Sequence, residues 1–230
     1  MRTALRPEII DIQIIITQKE TAVFDKPIVM LDFETTGLSP DAGDRITEVA
    51  ALRIVDGEIV ERYVSLVNCG VRIPSFITGL TGISQAMVNA APRASVVLPD
   101  LLDFIGSDAL SAHNASFDLK FLQAESRLQG LTPAHRGLIC SLKLSRRLLP
   151  GMASYRLGEL AAALRIRFNS AAHRAEADAE VSAKLLVHIG EHLGRQYGLR
   201  TINPLLLESV NKQSAAKVPD FLRKQALHRA

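Results

Sequence analysis

Apolar residues along this chain fall first at alternating and then at helical spacings. The run Ile28-Val29-Met30-Leu31-Asp32-Phe33-Glu34 reads as a strand, and its period of two sets Met30, Asp32 and Glu34 on one face. Two more strands are predicted over Ile46 to Val55 and Glu58 to Val67, joined by Asp56-Gly57, a pair suited to a tight hairpin. Beyond a loop through Pro74, helical spacing near Val96 to Ile105 and Ser116 to Leu128 brackets a short strand, Ala109 to Ala112, that ends at His113-Asn114. A helix over Ser141 to Leu149 stops at Pro150-Gly151, helical spacing resumes over Leu157 to Leu164, and a helix from about Glu176 to Leu193 closes the globular part. A meander of strands followed by alternating strands and helices predicts a mixed α/β sheet with helices on its faces.

The periodic part is flanked by two different segments. Residues 1–26 form an N-terminal extension whose run Ile9 to Ile16 is rich in β-formers and suits a sheet edge or a second subunit. From residue 198 to 230 the chain turns polar and basic. Lys212, Lys217, Arg223, Lys224 and Arg229 stand there with Asp220 as the only acid after Glu208, which suggests a nucleic-acid or partner arm, or a solvated terminal helix. With 230 residues, 47% hydrophobic and 22% charged, the chain supports one sizeable core with appendages. Cys69 and Cys140 make neither a disulfide framework nor a metal-ligand spacing. Glu8, Asp11 and Gln13 interrupt the early apolar stretch, and no run reaches bilayer length, so a cytoplasmic location without a membrane partner is expected. A net charge of +3 fits a nucleic-acid partner and an ordinary basic enzyme equally.

Polar residues on apolar faces carry the candidate chemistry. Helical spacing places Asp178 in the core-facing stripe of Val181, Leu185 and Ile189, and Asp118 on the face of Phe121 and Leu122. Taken singly, each acid has an ordinary reading; an aspartate in a first helical turn also complements the helix dipole. Several ionised carboxylates on buried faces, together with Asp32 and Glu34, are costly without a cation, and carboxylate oxygen suits hard ions such as Mg²⁺ or Mn²⁺.

Three segments in sequence order carry a resemblance. Asp32-Phe33-Glu34-Thr35-Thr36-Gly37, His113-Asn114-Ala115-Ser116-Phe117-Asp118 and His173-Arg174-Ala175-Glu176-Ala177-Asp178 resemble the three motifs of the DEDD 3′-to-5′ exonucleases. The histidine five residues before the last aspartate is similar to the histidine subclass, which includes the proofreading epsilon subunits of bacterial DNA polymerase III. The resemblance covers about residues 27 to 195 and makes 27–197 the exonuclease domain. It implies a ribonuclease-H-like, mixed five-stranded sheet flanked by helices. It also implies two Mg²⁺ or Mn²⁺ ions, bridged by Asp32 and further held by Glu34, Asp118 and Asp178, roughly 3.5 to 4 Å apart. His173, on a loop, becomes the general base for the attacking water, and Arg174 beside it a phosphate contact or a solvated side chain.

For substrate, the resemblance gives Thr35, Thr36 and Leu38 to the terminal nucleotide, through backbone groups and an apolar wedge. It gives Asn114 and Phe117 to sugar and base; plain core packing is the alternative for Leu38 and Phe117. Leu80-Thr81-Gly82-Ile83 resembles a loop beside that nucleotide. Thr81 there replaces the histidine of epsilon subunits, as in exonuclease domains built into Gram-positive replicative polymerases and helicase-associated homologues. The implied reaction removes nucleoside 5′-monophosphates from DNA 3′ ends in proofreading or repair, with a DNA polymerase subunit as partner. An RNA-trimming exoribonuclease uses the same site, and an idle nucleic-acid-binding module keeps the same fold. Thr35, where enzymes degrading very short RNAs carry Met, favours DNA over RNA, and the complete set of acids and histidine disfavours the idle module.

Overall fold

The computed structural model describes residues 23–167 and 173–227, so the Ile9 to Ile16 run lies outside the described residues. Its centre is a sheet of five strands: β1 (Ile28–Thr35), β2 (Ile46–Val55), β3 (Glu58–Leu66), β4 (Ala109–Ala112) and β5 (Leu138–Cys140), in the order β3-β2-β1-β4-β5. β1 pairs antiparallel with β2 and parallel with β4, and β5 runs parallel to β4, which makes the sheet mixed. The β2–β3 hairpin closes on Asp56 and Gly57, both with positive φ, as a primed turn requires.

Period two along β1 divides the core. Val29, Leu31 and Phe33 face a cluster with Val97, Leu98 and Leu101 of α3 (Ala94–Ile105) and Phe121 and Leu122 of α4 (Ala115–Leu128). Ile28 and Met30 face the opposite cluster, with Ala179, Ala183 and Leu186 of α7 (Ala175–Tyr197). Asp32 and Glu34 continue this second face toward the carboxyl end of β1, where the apolar filling stops. Small residues bring α7 close. A Cβ added at Gly190 would stand 2.5 Å from Val23 Cγ1.

Four helices and one strand escaped the sequence reading. α1 (Ser75–Thr81) and α2 (Gln85–Ala90) are too short to show a period, and they close over a small core of Cys69, Ile73, Ile83 and Val88. β5 has three apolar residues, too few for alternation. The remaining two helices bear on residues 198–230, read as a nucleic-acid or partner arm or a solvated terminal helix: the described part packs on the core instead of standing free. α8 (Pro204–Lys212) buries Leu206, Leu207 and Val210, and α9 (Val218–Leu227) buries Val218 and Leu222, all in the same core as Met30 and Leu186. Only one stripe of each helix is apolar, so composition alone reads as polar. The basic residues stay outside, with Lys212 beside Glu208 and Arg223 beside Asp220. Asn211 of α8 then covers the free edge of β5: its Oδ1 accepts from Cys140 N at 2.7 Å and its Nδ2 donates to Cys140 O at 3.2 Å. Among the described residues no helix is long and apolar enough to cross a membrane.

Candidate active site

The acids meet where β1 ends. Asp32 and Glu34 project from one face of the strand toward α7, whose first turn supplies Asp178, and one carboxylate oxygen from each of the three lies within 4.8 Å of the others. Asp118, in the first turn of α4, is buried at 3% exposure, and its carboxylate meets the backbone N–H of Phe33 and its own. Four acids from three elements therefore crowd one point.

Their protons report the strain. Burial, then the charges of Asp118, Asp178, Glu34 and Glu48, hold the Asp32 carboxyl well above the usual carboxylate range. Burial, with Asp178 and Glu48 nearby and Arg174 opposing, pushes Glu34 up to about 7. Burial likewise raises Asp118 to about 8, despite the two backbone N–H groups that favour its anion. Asp178 is raised by burial, with the His173 amide and side chain working against the rise. Such a set of hard oxygen donors, each short of positive charge, fits a divalent cation at this point.

The two histidines of the motifs differ in freedom. His113 is tied on both ring nitrogens, to Ser141 Oγ at 2.9 Å and to the Tyr155 carbonyl at 3.2 Å. Burial lowers its pKa, so the ring is neutral. Nε2–H must donate to the carbonyl, which leaves Nδ1 to accept from Ser141. His113 therefore holds the β4 end to the segment before α6 (Leu157–Ala163) and carries no free nitrogen. His173 is exposed, has a φ of +62°, and donates its backbone N–H to Asp178 Oδ2 at 3.1 Å. It lines a cleft of about 700 Å³ with Asp178, His113, Tyr155, Arg146 and Arg156.

The nucleotide-contact residues of the sequence reading divide. Leu38 is 77% exposed at the rim beyond Glu34, with the Lys120 ammonium on its carbonyl. Thr35 Oγ1 donates to Gly37 O at 2.6 Å and Thr36 Oγ1 accepts from Arg45 N at 3.0 Å, so both hydroxyls are committed to the loop. Gly37 is required there, since a Cβ would stand 2.4 Å from the Asp44 carboxylate. Asn114 is exposed in the left-handed region, and Phe117 is half-buried, its ring tilted 49° to that of Phe121 at 5.0 Å and under the Lys120 ammonium at 5.1 Å. Thr81 is buried, its hydroxyl donating to Ile77 O at 2.9 Å and accepting from Ile83 N at 3.1 Å; it shapes the α1–α2 turn.

One functional neighbour was missed. Glu48 of β2, 3% exposed, lies directly across from Glu34 and takes the Arg174 guanidinium, with Nε to Oε2 at 3.0 Å. Arg174 is thereby engaged by Glu48, with its side chain still half-exposed. The pattern of β2 held the signal: Glu48 falls in period two with Ala50 and Leu52, both inward-facing.

Comparison with known proteins agrees with this geometry. The RNase T exonuclease family model matches residues 29–186. A DNA polymerase III of PolC type from Caldanaerobacter subterraneus subsp. tengcongensis is 36% identical over 197 residues, which cover 84% of this chain and 14% of that protein. The DNA polymerase III epsilon subunit of Aquifex aeolicus is 33% identical over 177 residues, 77% of this chain and 87% of that protein. Among solved structures, exonuclease X in complex with 5′ overhanging duplex DNA superposes with a TM-score of 0.63 at 28% identity, covering 80% of this chain and 99% of that one. The chain thus spans only a small part of the PolC-type polymerase that it matches.

Proposed function

Because the chain belongs to the exonuclease family whose model spans residues 29–186, in its DEDD histidine subclass, we propose that it removes nucleotides one at a time from the 3′ ends of DNA. The observation that carries this reading is the convergence of Asp32, Glu34 and Asp178 within 4.8 Å, beside buried Asp118 and next to a histidine on a non-helical residue. Divalent-metal dependence belongs to the family. Asp32, Glu34, Asp118 and Asp178 would hold two Mg²⁺ or Mn²⁺ ions. Bound there, the ions would polarise the scissile phosphate, lower the pKa of water and neutralise the leaving 3′ oxygen.

The side chains supply the remaining chemistry. His173 takes a proton from the attacking water, since its ring is exposed in the cleft and makes no hydrogen bond among the described residues, whereas His113 has no nitrogen to spare. Asp178 orients the loop that bears His173 through its bond to the backbone N–H. Leu38, exposed beyond Glu34, would wedge between the last two bases, with Asn114 and Phe117 meeting sugar and base. Nucleic acid as substrate follows from the family. The choice of DNA rests on the relatives, a PolC-type polymerase and an epsilon subunit, and a DNA polymerase is the partner they suggest.

Digestion of 3′-labelled single-stranded DNA, mismatched duplex and RNA, each with Mg²⁺, Mn²⁺ or EDTA, tests the reading. Release of deoxynucleoside 5′-monophosphates with either metal and none with EDTA is expected. Faster release from RNA would move the assignment to RNA trimming, and no release from any polymer would leave a binding module.

A further inference from the structure

The ion pair of buried Glu48 and half-exposed Arg174, which joins β2 to the entry of α7, is placed against the local electrostatic interest. Glu48 stands opposite Glu34 in the β1–β2 ladder, so the two carboxylates share a face with Asp32. A glutamine of the same shape would still accept the backbone bond that Glu48 takes from Ala175 N at 2.9 Å, without adding negative charge to a crowded site. A buried ion pair is weak grounds for stability, because desolvation offsets most of the attraction. The charge instead secures the guanidinium: Oε1 and Oε2 both accept from Arg174 Nε, at 3.2 and 3.0 Å, while Oε1 also accepts from Nη2. Both oxygens thus face donors from residues 174 and 175.

That anchor adjoins His173 on its C-terminal side. His173 occupies the left-handed region, which non-glycine residues enter only when the surroundings over-determine them. The bond from its N–H to Asp178 fixes one side of the residue, and the Arg174 fork fixes the next peptide. We propose that Glu48 and Arg174 are positioning residues, which clamp the backbone at the entry of α7 so that His173 and Asp178 present their side chains to the acids of β1. This role rests on the exonuclease reading above. Neither residue touches the reacting atoms.

The test uses the full chain and the variants E48Q, R174K and E48Q/R174K. Four quantities are measured: hydrolysis of the p-nitrophenyl ester of thymidine 5′-monophosphate with Mn²⁺, Mn²⁺ affinity by calorimetry, amide exchange over residues 173–178, and thermal melting. A slight displacement of a positioned group can lower a rate about 10²-fold, so kcat should fall about 10- to 100-fold in E48Q and R174K while KM and Mn²⁺ affinity stay within about threefold. Exchange at the α7 entry should quicken, and the double variant should be no slower than the worse single one, as for one coupled unit. A folded E48Q or R174K with faster exchange but unchanged kcat overturns the proposal. Loss of Mn²⁺ binding in E48Q as severe as in Asp178→Ala also overturns it, because Glu48 would then be a ligand. If E48Q fails to fold, R174K, which keeps the charge and loses the fork, decides. An inactive wild-type chain would instead remove the exonuclease reading, while the exchange data still report whether the pair anchors the loop.

Discussion

His173 occupies a backbone conformation that a side chain other than glycine enters at about 1 to 2 kcal/mol, and it does so just before the N-cap of a long helix. On the proposed reading His173 serves as the base and does not join the oxygens that would hold metal. The expected outcome for His173→Ala is a kcat lower by about 10² to 10⁴ with metal affinity nearly unchanged, measured by steady-state kinetics and calorimetry. Activity should partly recover at higher pH, where hydroxide replaces the lost base. Asp32 is expected to behave in the opposite way. It draws repulsion from Asp118, Asp178 and Glu34, so Asp32→Ala should abolish turnover and leave the melting temperature in EDTA equal to wild type or higher. Calorimetry should also show the stabilisation by Mg²⁺ largely gone from that variant. A strongly destabilised variant in EDTA would mean that Asp32 holds the fold together instead of straining it.

At the level of elements, two ion pairs, each with a buried glutamate, fasten the helices that carry the acids to β2 and the residue before it. Glu48 takes Arg174 at the entry of α7, and Glu125 of α4 takes Arg45 Nε at 2.6 Å and Nη2 at 2.9 Å. Asp118 and Asp178 belong to those same helices, so each clamp sets the approach of one acid to β1. α8 plays a comparable part for the outer strand. Leu207 is fully buried, and Asn211 covers the edge of β5, which precedes the Ser141 that holds His113. Leu207→Ala should therefore cost about 2 to 5 kcal/mol in urea unfolding, the range for a buried leucine. Truncation at residue 203 should give a chain that melts far lower, instead of an intact enzyme with weaker DNA binding. An unchanged unfolding midpoint after either change would return α8 to the role of a dispensable arm.

Over the whole molecule the acids link folding, protons and metal. Glu34 rises from 4.5 to about 7 and Asp118 from 3.8 to about 8, so between about pH 4 and 8 these two acids hold more protons in the folded chain than in the unfolded one. Stability without metal must then fall as pH rises through that window. Differential scanning calorimetry in EDTA should show a melting temperature that declines from pH 5 to 8, with Mg²⁺ restoring more stability at pH 8 than at pH 5, because the ions compete with protons. A melting temperature in EDTA that rises across the window would show that the acids do not repel one another as placed. This linkage was partly legible in the sequence, because alternation and helical spacing are local. They put Asp32 with Glu34 and turned Asp118 and Asp178 inward, and the order of three short motifs supplied the family. Spacing also marked the long strands and helices, where a period repeats often enough to be read. Three apolar residues at β5, two short helices after Pro74, and the single stripes of α8 and α9 give no such repeat, so only packing revealed them. Glu48 lies 126 residues from Arg174, and Glu125 lies 80 from Arg45; nothing local pairs them. The sequence by itself determined which side chains face inward, since that follows from backbone geometry within an element. Which inward-facing charges meet, and which histidine keeps a free ring, was decided by the tertiary structure, because partners far apart along the chain are chosen only when the elements close on one another.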